Sequence, residues 1–458
     1  MAPLDILIVG CSIGGPALAT FLLLTPSPAA NKPRITVLER SSSLRGQGQN
    51  VDVRGVGVPI LRKLGVEAAV RASTTGEVGV QWVTKDNRVW ATLGAGNDGD
   101  DKVHNPTSDI EIKRGRLAEI LWQRSQAASD AVARDGGKAI EYIFGDHLDD
   151  IRQSGDNGDG DGEYDKNDSP PAKVTVHFAN SGQTRMFDLV VGADGLPSST
   201  RQMVWGSAGE TQRVHRLGLY AAFFSIPRTS TDTAYRRCFH THGRRLLSVR
   251  PDEQNNQMSA LLSVVVDDAQ DARFAQHAVR GPGAAGTDAQ KALIKEYFQG
   301  AGWESERILQ AMMATPDFYY SMIAQVKMDR WSKGRVVLLG DAAHCASHLS
   351  GMGTTLAMLG AYNLAGALAS HPDDLSAAFA AYEASTRPAV TKAQKLMPGI
   401  LRIMNPETAW GVWVVDTVIR FLVWSRVFFK LLLRFRGPDT EVEALPEYGF
   451  TQLPEQTD

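Results

Sequence analysis

The chain has 458 residues, of which 43% are hydrophobic and 22% are charged, and its formal net charge is −3. This balance fits a soluble globular protein of two or three domains, and it gives no electrostatic basis for binding nucleic acid. The three cysteines, Cys11, Cys238 and Cys345, lack metal-ligand spacing, so we expect reduced thiols and no metal centre. The first predicted strand begins close to Met1, which leaves no room for a signal peptide and makes the cytoplasm the expected location.

The first element in chain order is a βαβ unit of the kind that binds dinucleotides. A strand over Ile6–Val9 runs into a glycine turn and a helix, and a second strand over Ile35–Leu38 ends at Glu39. The turn has four positions of interest: Gly10, Ser12, Gly14 and Gly15. Gly10 permits the tight turn, Gly15 permits close helix–strand packing, and an acid at this distance binds ribose hydroxyls. The unit predicts a dinucleotide site in which Ser12 stands where a second glycine is usual.

Two later segments match short motifs without the structural context that the motifs need. Residues 94–99 repeat the glycine pattern but open an acidic loop instead of a helix, so we interpret them as a surface turn. Residues 153–172 are rich in Gly, Asp and Asn and include calcium-loop positions, but strands are predicted around them. We predict a disordered hairpin insertion there, without a bound metal.

Two further strand-to-helix turns place an aspartate beside glycine. In the first, a buried strand leads to Asp194, and the serines that follow are natural helix caps. In the second, the apolar residues 336–339 lead to Asp341 and then to Gly351 and Gly353. Such an aspartate can hydrogen-bond a sugar hydroxyl, and a helix N-terminus can face an anion or an electron-rich ring. Taken alone, the Asp194 turn is better explained as an ordinary capped strand-to-helix turn, and the Asp341 turn could be any strand–loop–helix connection.

The segments between these motifs predict a second sheet. Four segments alternate in polarity or run apolar, as strands do: 78–83, 88–91, 217–226 and 258–266. We expect a substrate domain (77–105 and 206–330) inserted into a discontinuous cofactor domain (1–76, 106–205 and 331–400). Tyr220, on the predicted substrate sheet, is a candidate to orient a substrate through its hydroxyl.

Residues 401–458 predict a C-terminal amphipathic helix and tail. The stretch from Trp410 to Phe435 is rich in Trp, Phe, Val and Leu, and charged residues recur in it near a helical period: Asp416, Arg420, Arg426, Lys430 and Arg434. The stretch is too charged to span a bilayer. Two interpretations stay open: it packs on its own domains or on a second subunit, or it docks peripherally on a membrane surface.

Together, the glycine fingerprint, the Asp194 turn and the Asp341 turn resemble the class A FAD-dependent monooxygenases. This para-hydroxybenzoate hydroxylase-like family includes tetracycline-inactivating monooxygenases and fungal secondary-metabolite hydroxylases. The resemblance runs in family order from residue 1 to about residue 395. It implies an α/β fold, in which a Rossmann-like FAD domain carries an inserted mixed or antiparallel substrate sheet and a C-terminal helical segment. It also implies FAD as cofactor, with NAD(P)H as transient reductant and O2 and a small molecule as substrates.

The resemblance assigns FAD-binding roles to residues beyond the glycine turn. Glu39 holds the adenosine ribose, Arg114 and Asp341 lie towards the ribityl chain and pyrophosphate, and Asp194 supports the turn. The helix start after Asp341 offers backbone N–H groups near the flavin pyrimidine ring. The implied FAD contacts are Glu39, Arg40, Asp52, Arg114, Asp194, Asp341, Gly351, Gly353 and Thr354.

The loop after His344 departs from the family pattern. Ser347 and His348 occupy places where one or two prolines are usual, and Thr355 stands where many members have asparagine. His348 is either an ordinary loop residue or a proton carrier beside flavin and substrate. In the second case its titration would shape the pH–rate profile between about pH 5.5 and 7.5. His348 and Tyr220 are the two candidate catalytic residues.

The reaction implied by the resemblance is NAD(P)H-driven monooxygenation. A small apolar or aromatic metabolite would be hydroxylated or epoxidised through a C4a-hydroperoxyflavin, in secondary-metabolite biosynthesis. Two alternatives stay open. One is a flavin oxidase, dehydrogenase, or rearrangement or cyclisation enzyme on the same fold, and the other is an FAD-binding protein without turnover.

Overall fold

A computed structural model of the chain describes residues 3–46, 48–94, 110–153, 173–252, 255–279, 284–425 and 445–455. Three sequence predictions fall partly or wholly outside these ranges. They are the second glycine motif beyond residue 94, the acidic insertion from 154 to 172, and the predicted C-terminal helix beyond residue 425.

The strands and helices of the described residues are numbered in chain order. The strands are β1 (Asp5–Val9), β2 (Arg34–Glu39), β3 (Asn50–Val53), β4 (Gly79–Val83), β5 (Val89–Gly94), β6 (Ile110–Lys113), β7 (Glu141–Phe144), β8 (Leu148–Gln153), β9 (Val174–Phe178), β10 (Thr184–Phe187), β11 (Leu189–Gly192), β12 (Val214–Pro227), β13 (Arg236–Thr241), β14 (Arg245–Asp252), β15 (Gln257–Val265), β16 (Phe318–Val326), β17 (Ser332–Lys333) and β18 (Val336–Leu338). The helices are α1 (Gly14–Leu23), α2 (Gly57–Leu64), α3 (Glu67–Ala72), α4 (Arg114–Arg134), α5 (Ser199–Trp205), α6 (Glu210–Arg213), α7 (Asp268–Val279), α8 (Ala284–Phe298), α9 (Ser305–Ala314), α10 (Asp341–His344), α11 (Gly353–Ser370), α12 (Leu375–Ala393), α13 (Ile400–Met404) and α14 (Ala409–Trp424).

The first sheet has the strand order β17-β18-β11-β1-β2-β7. All of its pairings are parallel except the edge pair β17–β18. Its central strands are apolar on both faces because α1 and α11 cover one side and the small β8–β10 sheet covers the other. The carboxyl ends of β1, β11 and β18 therefore meet at one edge, where the three predicted motif turns converge.

The second sheet has the order β16-β12-β15-β14-β13-β4-β5 and is antiparallel except for the pair β13–β4. Helices α7, α8 and α9 pack on one of its faces and form a separate apolar core there. The predicted fold class, a Rossmann-like domain with an inserted mixed or antiparallel sheet, is confirmed.

A two-stranded ribbon, β3 with β6, joins the two halves. Its apolar face, which includes Ile112, lies in the core of the first half. Its polar face meets β14, where Glu111 pairs with Arg250 at 2.5 Å and Lys113 pairs with Asp252 at 2.5 Å. Since side chains two apart share a face on both strands, these opposite charges fix how the second sheet sits over the ribbon.

Helix α14 lies against β5 and β13 of the second sheet. Its Asp416 carboxylate accepts a hydrogen bond from His240 Nδ1 at 3.2 Å, and Arg420 lies 5.4 Å from the ring centre of Trp90. No helix among the described ranges is both long enough and apolar enough to cross a membrane.

Candidate functional site

The glycine turn after β1 leaves no room for side chains at two positions. Gly10 has φ +112°, and a Cβ there would collide with the carbonyl of Ala193 in the turn after β11. A Cβ on Gly15 would collide with the carbonyl of Gly10. Gly14 is the first residue of α1, and a Cβ added to it would lie 3.3 Å from the Leu339 side chain. The backbone is thus packed as a bare cradle for a ligand that needs close approach.

Glu39 ends β2 beside this cradle. Its carboxylate accepts hydrogen bonds from the backbone N–H of Cys11 at 3.1 Å and of Ser41 at 3.0 Å. A carboxylate has about four lone-pair directions, so Glu39 can order the turn and still accept from two ribose hydroxyls. The side chain of the neighbouring Arg40 is exposed. The pKa of Arg45 is lowered mainly by burial and, to a smaller extent, by the charge of Arg40.

Arg114 and Ser12, both predicted cofactor residues, are brought together by the fold. Arg114 is the first residue of α4, and its Nη2 donates to the Ser12 hydroxyl at 2.9 Å. Its backbone N–H donates to Gln49 at 3.1 Å, and Gly115 packs directly under the carbonyl of Gly46. A guanidinium beside the start of α1 suits the pyrophosphate of a dinucleotide, because Arg binds phosphate oxygens in pairs.

Asp341 begins α10 at the carboxyl end of β18. Its Oδ1 lies 3.9 Å from where a Cβ of Gly353 would stand, so the carboxylate faces the start of α11. Thr354, in the first turn of this 18-residue helix, is 9% exposed. An acid and the free N–H groups of a helix start therefore lie side by side at the predicted flavin position.

Asp52, on the ribbon, lies against the same loop. Its Oδ2 is 3.3 Å from the place of a Gly351 Cβ and accepts from Arg54 at 2.8 Å. Burial raises the pKa of Asp52, while Arg54 opposes the rise. Thr355 completes the contact, since its hydroxyl accepts from the Arg54 N–H and donates to the Arg54 carbonyl, each at 3.2 Å. Thr355, which stands where many family members have asparagine, thus anchors the loop after β3 to α11.

Asp194 has a structural role in this fold. Its carboxylate accepts from the Ser198 hydroxyl at 2.5 Å and from the Thr200 N–H at 3.0 Å. Ser198 in turn caps α5 by accepting from the Arg201 N–H at 3.0 Å. Asp194 supports the cofactor turn through the neighbouring Ala193 carbonyl, which packs on Gly10. Its direct contact with a cofactor stays a prediction.

Arg201 is a site-building residue that the motif analysis missed. Its fully buried guanidinium donates to the carbonyls of Ala342 and Leu196, each at 2.7 Å, and pairs with Glu210. It therefore ties the turn after β11 to the turn that carries Asp341. In the sequence, the only indication of this role was the position of Arg201 directly after the residues that cap the helix. An arginine buried there must be paired, so it could have been marked as a residue that joins two turns.

Tyr220, the candidate for orienting substrate, faces the helical core in this fold. It is fully buried, its ring stacks on Tyr320, and its hydroxyl donates to Asp271 of α7 at 2.6 Å. Burial raises the pKa of this phenol, so it has no ionised form to offer near neutral pH. The physical reason is the period of two along β12: Tyr220 and Phe224 face the helical core, whereas Phe223 faces the other way.

The face opposite that core carries an aromatic wall next to the cofactor loop. We use "aromatic wall" for Phe223, Tyr319 and His348. The Phe223 ring centre lies 6.3 Å from that of Tyr319 and 6.0 Å from that of His348. Because His348 follows α10 whereas Phe223 and Tyr319 belong to β12 and β16, the wall spans both halves of the molecule.

His348 is reachable by solvent but lies among dense protein surroundings, which lower its pKa. The charge of Asp341 raises this pKa and that of Arg114 lowers it. Any titration of His348 is therefore expected below its ordinary pKa of about 6.5.

The residue before it, Ser347, is strained. Its backbone has φ +76° and ψ 157°, a region almost restricted to glycine, and its buried hydroxyl has no hydrogen-bond partner among the described residues. A proline cannot adopt this φ, so the loop differs in backbone course from the proline pattern of the family. The paired substitution at 347 and 348 is thus a change of shape as well as of chemistry.

His344, the last residue of α10, is a buried support of the loop. Its ring lies 4.6 Å from Trp331, and its Nε2 is 3.4 Å from the Tyr382 hydroxyl. Burial lowers its pKa to about 3, so the imidazole is neutral at ordinary pH.

A cavity of about 790 Å³ opens between the two halves. Its cofactor-side lining includes Arg45 and Lys113, and its substrate-sheet lining includes Ser225, Asp252 and Asp317. Ser225 donates to Asp317 at 2.5 Å and Lys113 pairs with Asp252, so these polar side chains of the lining are paired within the protein.

The bare glycine cradle, the ribose-binding acid and the Arg114–Ser12 pair fit FAD. A family model described as an FAD binding domain matches residues 162–396. The chain is 32% identical over 450 residues to the FAD-dependent monooxygenase asL6 of Sarocladium schorii, with 97% of each chain covered. It is 32% identical to the monooxygenase CTB7 of Cercospora beticola, over 92% of this chain and 93% of the relative.

Two solved structures are similar to this chain over nearly its whole length. The tetracycline destructase Tet(55) superposes with a TM-score of 0.70 at 28% identity, covering 98% of this chain and 99% of that one. Klebsiella pneumoniae HpxO, in complex with FAD and uric acid, superposes with a TM-score of 0.63 at 18% identity, covering 97% of each. The second likeness shows the fold alone. The resemblance found in the sequence is confirmed by these matches.

Proposed function

The chain belongs to the family of FAD-dependent monooxygenases, and we propose that it uses NAD(P)H and O2 to hydroxylate or epoxidise a small apolar or aromatic metabolite. One observation carries this proposal. The aromatic wall stands beside the loop of Asp341, on the side of the substrate sheet that faces away from the helical core. A ring-shaped substrate held on that wall would lie within reach of a flavin bound along the loop.

We assign the FAD to residues that the fold brings to one edge of the first sheet. Glu39 would take the adenosine ribose, Arg114 with Ser12 the pyrophosphate, and Asp341 the ribityl hydroxyls. Bound FAD, reduced by NAD(P)H, supplies the activation of O2: one oxygen atom enters the substrate, the other leaves as water, and NAD(P)+ is released. The protein contributes position, exclusion of water and local charge.

His348 is the residue for which we propose a role in proton handling. The Phe223 contact places its ring at the junction of cofactor loop and substrate sheet. Asp341 favours the charged imidazolium, whereas Arg114 and the surrounding protein favour the neutral ring. The neutral form can accept a proton from a substrate hydroxyl at physiological pH. We expect the acid limb of the pH–rate profile to fall below about pH 6.5.

The aromatic wall supports a planar or ring-bearing substrate, and the similar structure of a protein named for tetracycline supports the same class. Rings prefer offset or edge contacts with Phe and Tyr, worth about 0.5–1.5 kcal/mol each beyond burial. We place the reaction in secondary metabolism, as the resemblance suggests. The large interdomain cavity is the route we propose for small molecules.

The test is a panel of aromatic compounds offered to the FAD-loaded protein with NADH or NADPH and isotopically labelled O2. We expect substrate-dependent NAD(P)H consumption and one labelled oxygen atom in the product. Unlabelled product with equimolar hydrogen peroxide would assign an oxidase instead. Absence of NAD(P)H oxidation across the panel, in protein with full FAD content, would favour a binding protein without turnover.

We also propose where the enzyme works: in the cytoplasm, with a peripheral contact to a membrane. The apolar outer surface of α14 supports the contact, and this part of the proposal is independent of the chemistry.

A further inference from the structure

Helix α14 presents an aromatic stripe to solvent. Four side chains share it, with exposed fractions of 72%, 63%, 57% and 79%: Trp410, Trp413, Phe421 and Trp424. At 100° per residue these positions fall within an arc of about 80°. Ile419, on the opposite side, is buried at 9% exposure. The helix is therefore attached to the protein by one side and displays its largest apolar side chains on the other.

Such exposure is unusual for an isolated soluble surface. Three tryptophans at these fractions leave on the order of 400 Å² of aromatic surface in one stripe. The nearby helix α13 and the residues before it add exposed apolar side chains, namely Met397 (60%), Ile403 (57%) and Met404 (37%). Scattered exposed apolar residues need no explanation, but four large aromatic side chains on one side of a single helix mark a surface that is covered by something.

The attachment of α14 orients the stripe. Asp416 contacts His240, and Arg420, which is exposed at the edge of the stripe, lies over Trp90 of the substrate sheet. Turning the helix to bury its tryptophans would break both contacts and would expose Ile419. The outward stripe is consequently the arrangement that the inward contacts select.

The charges around the stripe identify the partner. Lys392, Lys395 and Arg402 are exposed on the segments that lead to α14. In the sequence, residues 426–436 then add four basic residues and no acidic one: Arg426, Lys430, Arg434 and Arg436. Tryptophan is enriched at the membrane interface, where the apolar lipid tails meet the polar headgroups, and lysine and arginine are attracted to anionic lipid. Protein interfaces share the enrichment in Trp, Phe, Met and Arg but are depleted of lysine, so the lysines of this segment are the feature that favours lipid.

We propose that α14 docks the protein on the surface of a membrane that contains anionic lipid, with the aromatic stripe in the interface and without spanning the bilayer. The second half of the molecule, to which α14 is attached, then faces the membrane. An apolar substrate that partitions into lipid would be concentrated on that side. The docking surface itself rests on the exposed stripe and its charges, and it holds whatever the chemistry of the enzyme is.

The test is flotation of the full-length FAD-loaded protein with vesicles. We expect binding to vesicles of phosphatidylcholine and phosphatidylserine in equal parts, weaker binding to phosphatidylcholine alone, and release by high salt. The triple variant Trp410→Ser, Trp413→Ser, Trp424→Ser should lose at least about tenfold in the bound fraction, because each indole contributes interfacial free energy. Met186→Ser, which removes an apolar side chain exposed to 61% on β10, is the matched control and should bind like the parent.

Circular dichroism and FAD content establish that the variants are folded, and Phe421→Asp is a second probe should the triple variant misfold. The proposal is overturned if the parent protein does not float with anionic vesicles, or if the stripe variants float with them to the same extent as the parent. A parent dimer that the triple variant disperses, without vesicle binding, would assign the stripe to a second copy of the chain and would overturn it too.

Discussion

The turn after β1 and the loop after α10 both line the cofactor edge of the first sheet, but they solve the problem of close approach in opposite ways. In the turn, Gly10 takes a positive φ without strain, and Gly15, which has no side chain, leaves room for the carbonyl of Gly10. In the loop, Ser347 takes a conformation that suits glycine and keeps its hydroxyl buried without a partner in the described chain.

The difference separates what the whole family needs from what this chain needs. The turn serves a cofactor that every member binds, and the residue types there follow from backbone space alone. The loop meets the substrate sheet, and its strained residue directly precedes His348, whose ring contacts Phe223. Backbone strain of this kind clusters at active sites and ligand-binding loops.

The sharpest way to break the turn is Gly15→Ala. Its Cβ would overlap the Gly10 carbonyl, so backbone must move, at a cost of about 3 kcal/mol or more. We expect nearly complete loss of bound FAD, measured by flavin absorbance of the purified protein. Gly46→Ala is the matched control, since nothing lies within 4 Å of its added Cβ, and it should keep FAD. Equal occupancy in the two variants would contradict the cradle.

The contact between the two halves is tested by Arg250→Met. The change leaves the side chains of Glu77 and Glu111 charged and without their partner at 1% and 5% exposure. Removing one member of a buried pair costs about 3–5 kcal/mol, and we expect this loss in chemical denaturation. Arg152→Met removes an exposed pair with Asp150 and should cost under about 1 kcal/mol. A loss at Arg250 no larger than at Arg152 would show that the interdomain pairs do not fix the two halves.

The neutral His344 beneath the loop predicts a dependence of stability on pH. Its folded pKa of about 3 lies below the unfolded value, so between the two the unfolded chain binds more protons and stability falls as pH falls. From pH 6.5 to pH 5 the loss should be about 2 kcal/mol. His344→Phe, which removes the titrating imidazole, should flatten this part of the curve. An unchanged slope in unfolding curves across this range would locate the acid sensitivity elsewhere.

The smallest effect is expected from relieving the strain in the loop. Ser347→Gly should raise the free energy of unfolding by about 1 kcal/mol, because glycine adopts this φ at ease. Ser347→Ala removes the same buried hydroxyl and keeps the strain, so the difference in stability between the two variants reports the strain alone. If the two variants have the same melting temperature, the backbone at 347 is not strained.

Much of the cofactor half could be predicted from the sequence. Gly10, Gly15 and Glu39 are read directly because turn geometry and ribose binding allow few residue types. Arg114 came from the family resemblance alone, and its contact with Ser12 needed the tertiary structure, since 102 residues separate them.

The substrate half was harder because a strand shows its two faces only as a period of two. The strand over 217–226 was predicted, but which of its two faces packs on the helical core depends on where α7 lies, and Tyr220 falls on the α7 side. Arg201 escaped for a different reason. A single buried arginine has no periodic or spacing signal, and only its partners reveal it.

The FAD dissociation constants of Asp341→Ala and Phe223→Ala, measured side by side, test the central claim that cofactor and substrate are held by separable parts of one cleft. We expect Asp341→Ala to bind FAD roughly 10- to 150-fold more weakly, since hydrogen bonds to a charged group contribute about 1.5–3 kcal/mol. Phe223→Ala should bind FAD like the parent and lose product per NAD(P)H consumed. Full FAD affinity in Asp341→Ala, or its collapse in Phe223→Ala, would contradict the account.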